Sequence, residues 1–372
     1  MRPLFKYFIV LVFGVAIVLV ILLFVQAVGK PKRIQEHNGM VRSISLSSNK
    51  RYIASGGEDG RVIVWDLQNS RIYRDLDLQN VQVYKIALSP NSQQIAICLE
   101  GTSIIVWDIV EDTTSASSEV NSCFQDLIWL NDNTIATKDL ELSIYEVGSL
   151  KRQASDLYPS TIWDSLGDRL VLFNRSQGTI TALIDNQTVQ LPTDEVINLI
   201  QWNPDGNHLA TANSMNKVDI WSLDSQAIEQ TISYPFSPHA LHWSNNGNIL
   251  AVVTGDLSLI AGHFQIHFYS LKDTSNVSTI DIPPEFRLGH ANIAWSVDSS
   301  LIAVPFEPDP NRLEWFGEVW IIDPISGDII EKFELSAPST ALVWASERNL
   351  VIGSTDESIE MWQIQSNLVT KN

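Results

Sequence analysis

The groups in this chain that could bind a metal or move a proton are seven histidines, two cysteines and 43 carboxylates. Two near pairs of histidine stand out, His239 with His242 and His263 with His267. In a strand, residues three apart face opposite sides and residues four apart share one. The first pair therefore needs a bend to share a ligand, and the second does not. Neither pair has a third ligand nearby, so satisfied or exposed imidazoles are expected and no metal is assigned. Glu307-Pro308-Asp309 is an acidic turn that offers oxygens to calcium, an ion that takes about six to eight of them. Cys98 and Cys123 allow at most one disulfide and match no metal spacing; two buried thiols in strands are expected. No Gly-x-Ser-x-Gly elbow, phosphate-cradling loop or dinucleotide fingerprint appears. The expectation is a chain that is not an enzyme and takes no cofactor.

The elements that must position these residues are repeated. A short apolar strand ending in a large residue and a turn occurs eight times, as Ile44-Ser45-Leu46, Ile86-Ala87-Leu88, Leu127-Ile128-Trp129, Thr161-Ile162-Trp163, Ile200-Gln201-Trp202, Leu241-His242-Trp243, Ile293-Ala294-Trp295 and Leu342-Val343-Trp344. Polar turns such as Asn203-Pro204-Asp205-Gly206 follow, with residues that tolerate positive φ. A second apolar strand comes after each turn, and a third ends near Trp65, Trp107, Tyr145, Leu183, Trp221, Tyr269, Ile322 and Trp362. The intervals between these last positions are 42, 38, 38, 38, 48, 53 and 40 residues. Alternation within Lys217-Val218-Asp219-Ile220-Trp221 has period two, which is a strand and not a helix.

Several strands per unit at ~40–45 residues is the pattern of propeller blades. A lone blade exposes two apolar faces, so blades stack radially and the ring must close. The reading is an all-β, eight-bladed β-propeller over residues 33–366, with seven blades as the alternative if the weakly patterned fourth repeat is no blade. The last repeat supplies only three strands, and Arg33-Ile34-Gln35-Glu36 precedes the first strand without a home. This segment is expected to be the outer strand of the eighth blade.

Val64-Trp65-Asp66 and Val106-Trp107-Asp108 carry the dipeptide of the tryptophan-aspartate (WD) repeat family, which the chain resembles over about residues 33–366. In the first repeat His37, Ser55, Asp59 and Trp65 match that family's internal hydrogen-bonded set, which the resemblance makes a structural staple of the blade. Elsewhere the dipeptide has decayed, for instance to Tyr145-Glu146, Leu183-Ile184 and Tyr269-Ser270. The frequent Trp closing the first strand is also similar to TolB-type propellers. What the resemblance implies is a rigid platform for protein partners, without catalysis.

Insertions in a repeat protein map to loops and often to the binding face. Repeat six carries one at Gly255 to His263 and repeat seven another at Pro305 to Gly317, with Pro283-Pro284-Glu285-Phe286-Arg287 connecting the two repeats. Phe286, Arg287, Phe306, Arg312, Trp315 and Phe316 are the expected partner-binding residues, because aromatic side chains and Arg favour interface centres. The competing reading is that Trp315 and Phe316 plug their own loop onto the blade edge.

Charge and hydropathy divide the chain. The first 33 residues hold five basic residues and no acid, leaving 19 basic against 43 acidic and a net of −24 over residues 34–372. Such a surface repels phosphate backbones and argues against nucleic acid. Behind a basic tail of residues 1–6, residues 7–28 are 22 positions without a charge, which as a helix span ~33 Å and cross a bilayer core. A cleaved secretory signal ending near Ala27-Val28-Gly29 is the alternative. Positive charges flanking the run tie at three against three, counting the α-amino group. The short basic tail resembles an uncleaved signal anchor, which would export the propeller. Residues 29–32 form a linker and residues 367–372 a tail. The expected function is a single-pass, membrane-anchored interaction platform. A small-ligand sensor or hydrolase using the central channel, or a structural component of an envelope complex, is the alternative.

Overall fold

The computed structural model describes residues 31–79, 81–101, 103–115, 118–119, 123, 126–138, 142–150, 152–154, 161–167, 169–174, 178–184, 187–256, 263–288, 293–308 and 317–364. These residues form strands and turns, with no helix among them. The hydrophobic run 7–28 lies outside them, and no described helix is long and apolar enough to cross a membrane.

Eight antiparallel sheets make eight blades, so the fourth repeat is a blade and the seven-bladed alternative falls. Blade 1 runs inside to outside through Val41–Leu46, Tyr52–Gly57, Arg61–Asp66 and Arg71–Asp77. Blade 4 repeats this as Thr161–Leu166, Arg169–Asn174, Thr179–Ile184 and Gln187–Pro192. The eighth sheet combines Ser339–Trp344, Asn349–Ser354 and Ile359–Gln363 with Lys32–Ile34 on its outer edge. Lys32 pairs with Met361 and Ile34 with Ile359. The expected closure is therefore present, one residue earlier at its start and two earlier at its end than the span 33–36.

Turns between the first and second strands share one chemistry. In Ser47 to Lys50, Ser89 to Ser92, Ser244 to Gly247 and Ser296 to Ser299, the first hydroxyl donates to the side chain of the third residue at 2.7, 2.7, 2.8 and 2.7 Å. The fourth residue has φ of 56°, 63°, 72° and 63° respectively, the left-handed region where glycine is least strained. We call the face bearing these turns the bottom and the opposite one the top.

Neighbouring blades are bonded along their innermost strands. The indole N–H groups of Trp129, Trp295 and Trp344 donate to the carbonyls of Ala87, His242 and Ala294 in the preceding blade at 2.8, 3.2 and 2.9 Å. Trp202 and Trp243 keep the same place, but their indole nitrogens have no partner. Their backbone N–H groups make the joint instead, to Asp164 Oδ2 at 2.6 Å and Gln201 Oε1 at 3.0 Å. The Trp that ends so many first strands is thus a rivet between blades.

Close packing on the second strand completes each seam. A Cβ on Gly56 of blade 1 would stand 2.6 Å from Val83 Cγ1 at the start of blade 2, and one on Gly353 of blade 8 would stand 2.8 Å from Val41 Cγ1 at the start of blade 1. The closing seam therefore uses the same joint as an internal one. Cys98 holds in blade 2 the position of Gly56 in blade 1, by the registers Cys98 with Ile104 and Gly56 with Val62. It is bonded to Cys123, ahead of blade 3, with Cα atoms 5.8 Å apart. This corrects the expectation of two thiols: both sulfurs are buried, but register brings them together across the seam between blades 2 and 3.

Candidate functional site

At the top of blade 1, His37 enters from the connection out of the closing strand. Its Nδ1 lies 3.0 Å from Asp59 Oδ1 and its Nε2 2.8 Å from Ser55 Oγ, to which Trp65 Nε1 donates at 3.3 Å. Burial pushes the Asp59 carboxyl up, but the backbone N–H groups of Asn38 and Arg61 and the His37 ring more than offset it, leaving it below its ordinary value. The ring of His37 is fully covered. This network ties loop to strand and presents nothing to a partner.

Blade 6 extends further at the top than blade 1. Blade 6 has strands Ile249–Asp256, His263–Ser270 and Ser275–Ile282 of eight residues each, where the matching strands of blade 1 have six to seven. One to two more residues per strand add roughly 3–7 Å. The pairs Gly255 with Phe264 and Asp256 with His263 lie at that raised end. In blade 7, Phe286–Leu288 pairs with Pro308 to Phe306, so Phe286 and Arg287 begin the inner strand and do not belong to a connecting loop.

Of the expected binding residues, Phe306 is corrected. It is 0% exposed, because its strand Ile302–Pro308 carries the ladder through the supposed insertion and turns the ring into the core. Its ring centroid is 4.5 Å from that of Trp320 and 5.9 Å from that of Phe286, which is half-buried. Lys332 Nζ caps Trp320 at 3.8 Å. Arg287 is exposed and opposite Glu307. Arg312, Trp315 and Phe316 fall in 309–316, outside the described residues. The strand ends that flank 257–262 and 309–316 lie at the same top face. Exposed apolar residues also occur on that face of blade 5, with Val196 at 53% and Met215 at 65%, joined by a bond from Ser214 N–H to the Val196 carbonyl.

The central channel holds a cavity of about 390 Å³ between blades 3 and 6, bordered by Asp126, Asp164, Gln201, His239 and His242. The bend that the first histidine pair needs is supplied by a bulge between Pro238 and Ala240, so both imidazoles line one cavity. His239 Nε2–H donates to the Gly255 carbonyl at 3.1 Å. Burial brings His242 down to about 4, so its ring is neutral near pH 7. His267, of the second pair, sits between Thr254 and Thr279 at 3.0 and 3.1 Å, and burial brings it below its ordinary value against the opposing pull of Asp281. Among the described residues no group of three or more His, Cys, Asp or Glu is placed to hold a metal ion.

Residues 29–66 match the family described as WD domain, G-beta repeat. The match takes in the closing strand and the first three strands of blade 1, and ends at the Trp65-Asp66 dipeptide. The hydrogen-bonded set His37, Ser55, Asp59 and Trp65 lies within or against that match. The WD aspartate, Asp66, also has a visible task. Burial acts to raise its carboxyl, but the Asn69 amide and N–H and the Arg51 guanidinium bring it down to about 2, fixing the turn to the outer strand. In fold, the ring is similar to the β-propeller domain of Myceliophteria thermophila Cps50 (Swd1), with a TM-score of 0.59 and 13% identity over 91% of this chain and 100% of that one. Comparison with curated proteins gives no match.

Proposed function

We propose that this chain is a protein-interaction platform held at a membrane by residues 7–28, with the partner gripping the top rim of blades 6 and 7. The observation that carries the reading is the pairing of Lys32–Ile34 with the last blade. Because Lys32 lies toward the bottom, the closing strand is entered from the bottom face, opposite the raised end of blade 6. Arg287, Arg312, Trp315 and Phe316 are the residues assigned to the partner, on a base stiffened by Phe286, Phe306 and Trp320. A rigid ring on a short tether raises the effective concentration of whatever it holds.

The Cys98–Cys123 bond supports an extracytoplasmic propeller, since disulfides persist in oxidising compartments and are rare in reducing ones. Digestion of the propeller by protease added to intact cells is the expected result, and protection would reverse the orientation. For the platform, Trp315→Ala with Phe316→Ala should remove a partner that co-purifies with the full chain while melting stays unchanged. Retention of the partner would overturn the rim assignment.

The channel cavity favours a second reading, a sensor for a small polar ligand bound by Asp126, Asp164 and His242. A ligand that raises the melting temperature in proportion to the logarithm of its concentration, and loses this effect in His242→Phe, would support it.

A further inference from the structure

The eighth blade is closed by an outer strand of only three residues, where blade 1 has seven. Because Lys32 pairs with Met361, the third strand of blade 8 runs on past its partner to Gln363, and the seam between blades 8 and 1 stays open toward the bottom face. A cavity of about 60 Å³ lies there, room for roughly four groups of water size at ~15 Å³ each. Ile34, Trp65, Leu67, Ile359 and Met361 form its apolar wall. The core on this seam is thin, with five buried apolar residues against fourteen between blades 6 and 7.

Lys32 and Arg71 stand exposed at the mouth. Their neighbours are already engaged: Arg33 binds Asp356 at 2.6 Å, and Arg51 binds Asp66 at 3.0 Å, neutralising the carboxylate that borders the groove. Lys32 and Arg71 have no ion-pair partner among the described residues. Against a net charge of −24 over residues 34–372, two cations without an ion-pair partner at an apolar opening are open to an anion from outside the ring.

The course of the chain indicates where it comes from. Residues 29–31 separate Lys32 from the uncharged run 7–28 and reach at most ~11 Å. With that run in a bilayer, the opening lies at the depth of the lipid headgroups. We propose that the groove receives an anionic phospholipid of that bilayer, its phosphate between Lys32 and Arg71 and its upper methylenes against Trp65 and Met361. The site would seat the bottom face of the ring on the membrane, and it rests on the reading of residues 7–28 as an anchor.

The test uses the full chain reconstituted in phosphatidylcholine vesicles that contain phosphatidylglycerol with a photoactivatable acyl chain, with crosslinked peptides mapped by mass spectrometry. Labelling is expected within residues 7–28 and also at 31–36, 65–71 and 359–363. Lys32→Gln and Arg71→Gln should each lower labelling of the groove roughly fivefold, the weight of one cation near an anionic surface, while leaving residues 7–28 labelled as before. Photoactivatable phosphatidylcholine should label residues 7–28 alone. Equal labelling of the groove by both lipids would overturn the proposal. So would groove labelling that appears only after removal of residues 366–372, which would make the C-terminal tail its occupant. Recovery of the chain in the aqueous phase overturns the anchor and the lipid site together, whereas a vesicle-bound chain with an unlabelled groove overturns the lipid site alone.

Discussion

Arg33 and Asp356 are joined by an ion pair of 2.6 Å across 323 positions of sequence. The pair lies within the eighth blade, the sheet built from strands of opposite ends of the chain. Both side chains are partly exposed, so Asp356→Asn should cost under ~1 kcal/mol. Removal of residues 1–34 takes away a whole ladder and uncovers Ile359, and should cost more than ~3 kcal/mol. Urea unfolding of the two variants beside the parent chain separates the strand's contribution from that of the ion pair.

The Gly353 joint gives a sharper test of closure. Gly353→Ala puts a methyl 2.8 Å from Val41 Cγ1 and should destabilise by about 1–3 kcal/mol. Val41→Ala in the same chain should recover part of that loss. A double-mutant cycle with no coupling between the two would mean that the seam does not pack as described.

Reduction of Cys98–Cys123 opens a loop with a sequence separation of 25. Loop-closure entropy predicts a loss of about 3.5 kcal/mol. Chemical unfolding with and without dithiothreitol measures it, and the chain with both cysteines changed to alanine should show no response to reductant.

Asp66 carries a pH dependence whose sign follows from its depressed carboxyl. The unfolded group titrates near 4, so the stabilisation is complete above that value and is lost as pH falls from about 4 through about 2. The stability difference between the parent chain and Asp66→Asn should accordingly be constant at neutral pH and vanish toward pH 2. A difference that grew on acidification would contradict the assigned bonds to Asn69 and Arg51.

Gly247 tests the bottom turns. Its φ is 72°, and a Cβ there would land on Asn203 Oδ1, whose amide donates to the Gly247 carbonyl at 2.8 Å. Gly247→Ala should therefore cost about 2 kcal/mol, more than the strain of the left-handed backbone alone. At Ser299, where φ is 63°, the exchange to glycine should change stability by less than ~1 kcal/mol. Melting curves of both variants decide it.

Much of the ring is legible in the amino-acid order because it depends on local rules. Alternation in Val62-Ile63-Val64-Trp65, turn residues such as Ser244-Asn245-Asn246-Gly247 and a period near forty all act within one blade, and together they require eight sheets and a missing outer strand that Ile34 supplies. The staple of His37, Ser55, Asp59 and Trp65 was implied by the resemblance to the WD-repeat family, and its members share one blade and its entry loop.

What only the tertiary structure decided are the relations between blades and the local departures from register. Cys98 meets Cys123 because a ladder register sets one at a seam that the other enters. Phe306 is core and not rim because its strand runs on through the supposed insertion, and His239 joins His242 because a single bulge reverses its side. The open groove beside Lys32 lies below the closing strand, whose pairing with the last strand begins only at Lys32 opposite Met361. Pairing depends on the free energy of whole faces in contact, and a shift of one residue exchanges buried for exposed side chains along a strand. No short stretch of sequence carries that information, so the architecture could be read in advance while its surfaces and cavities could not.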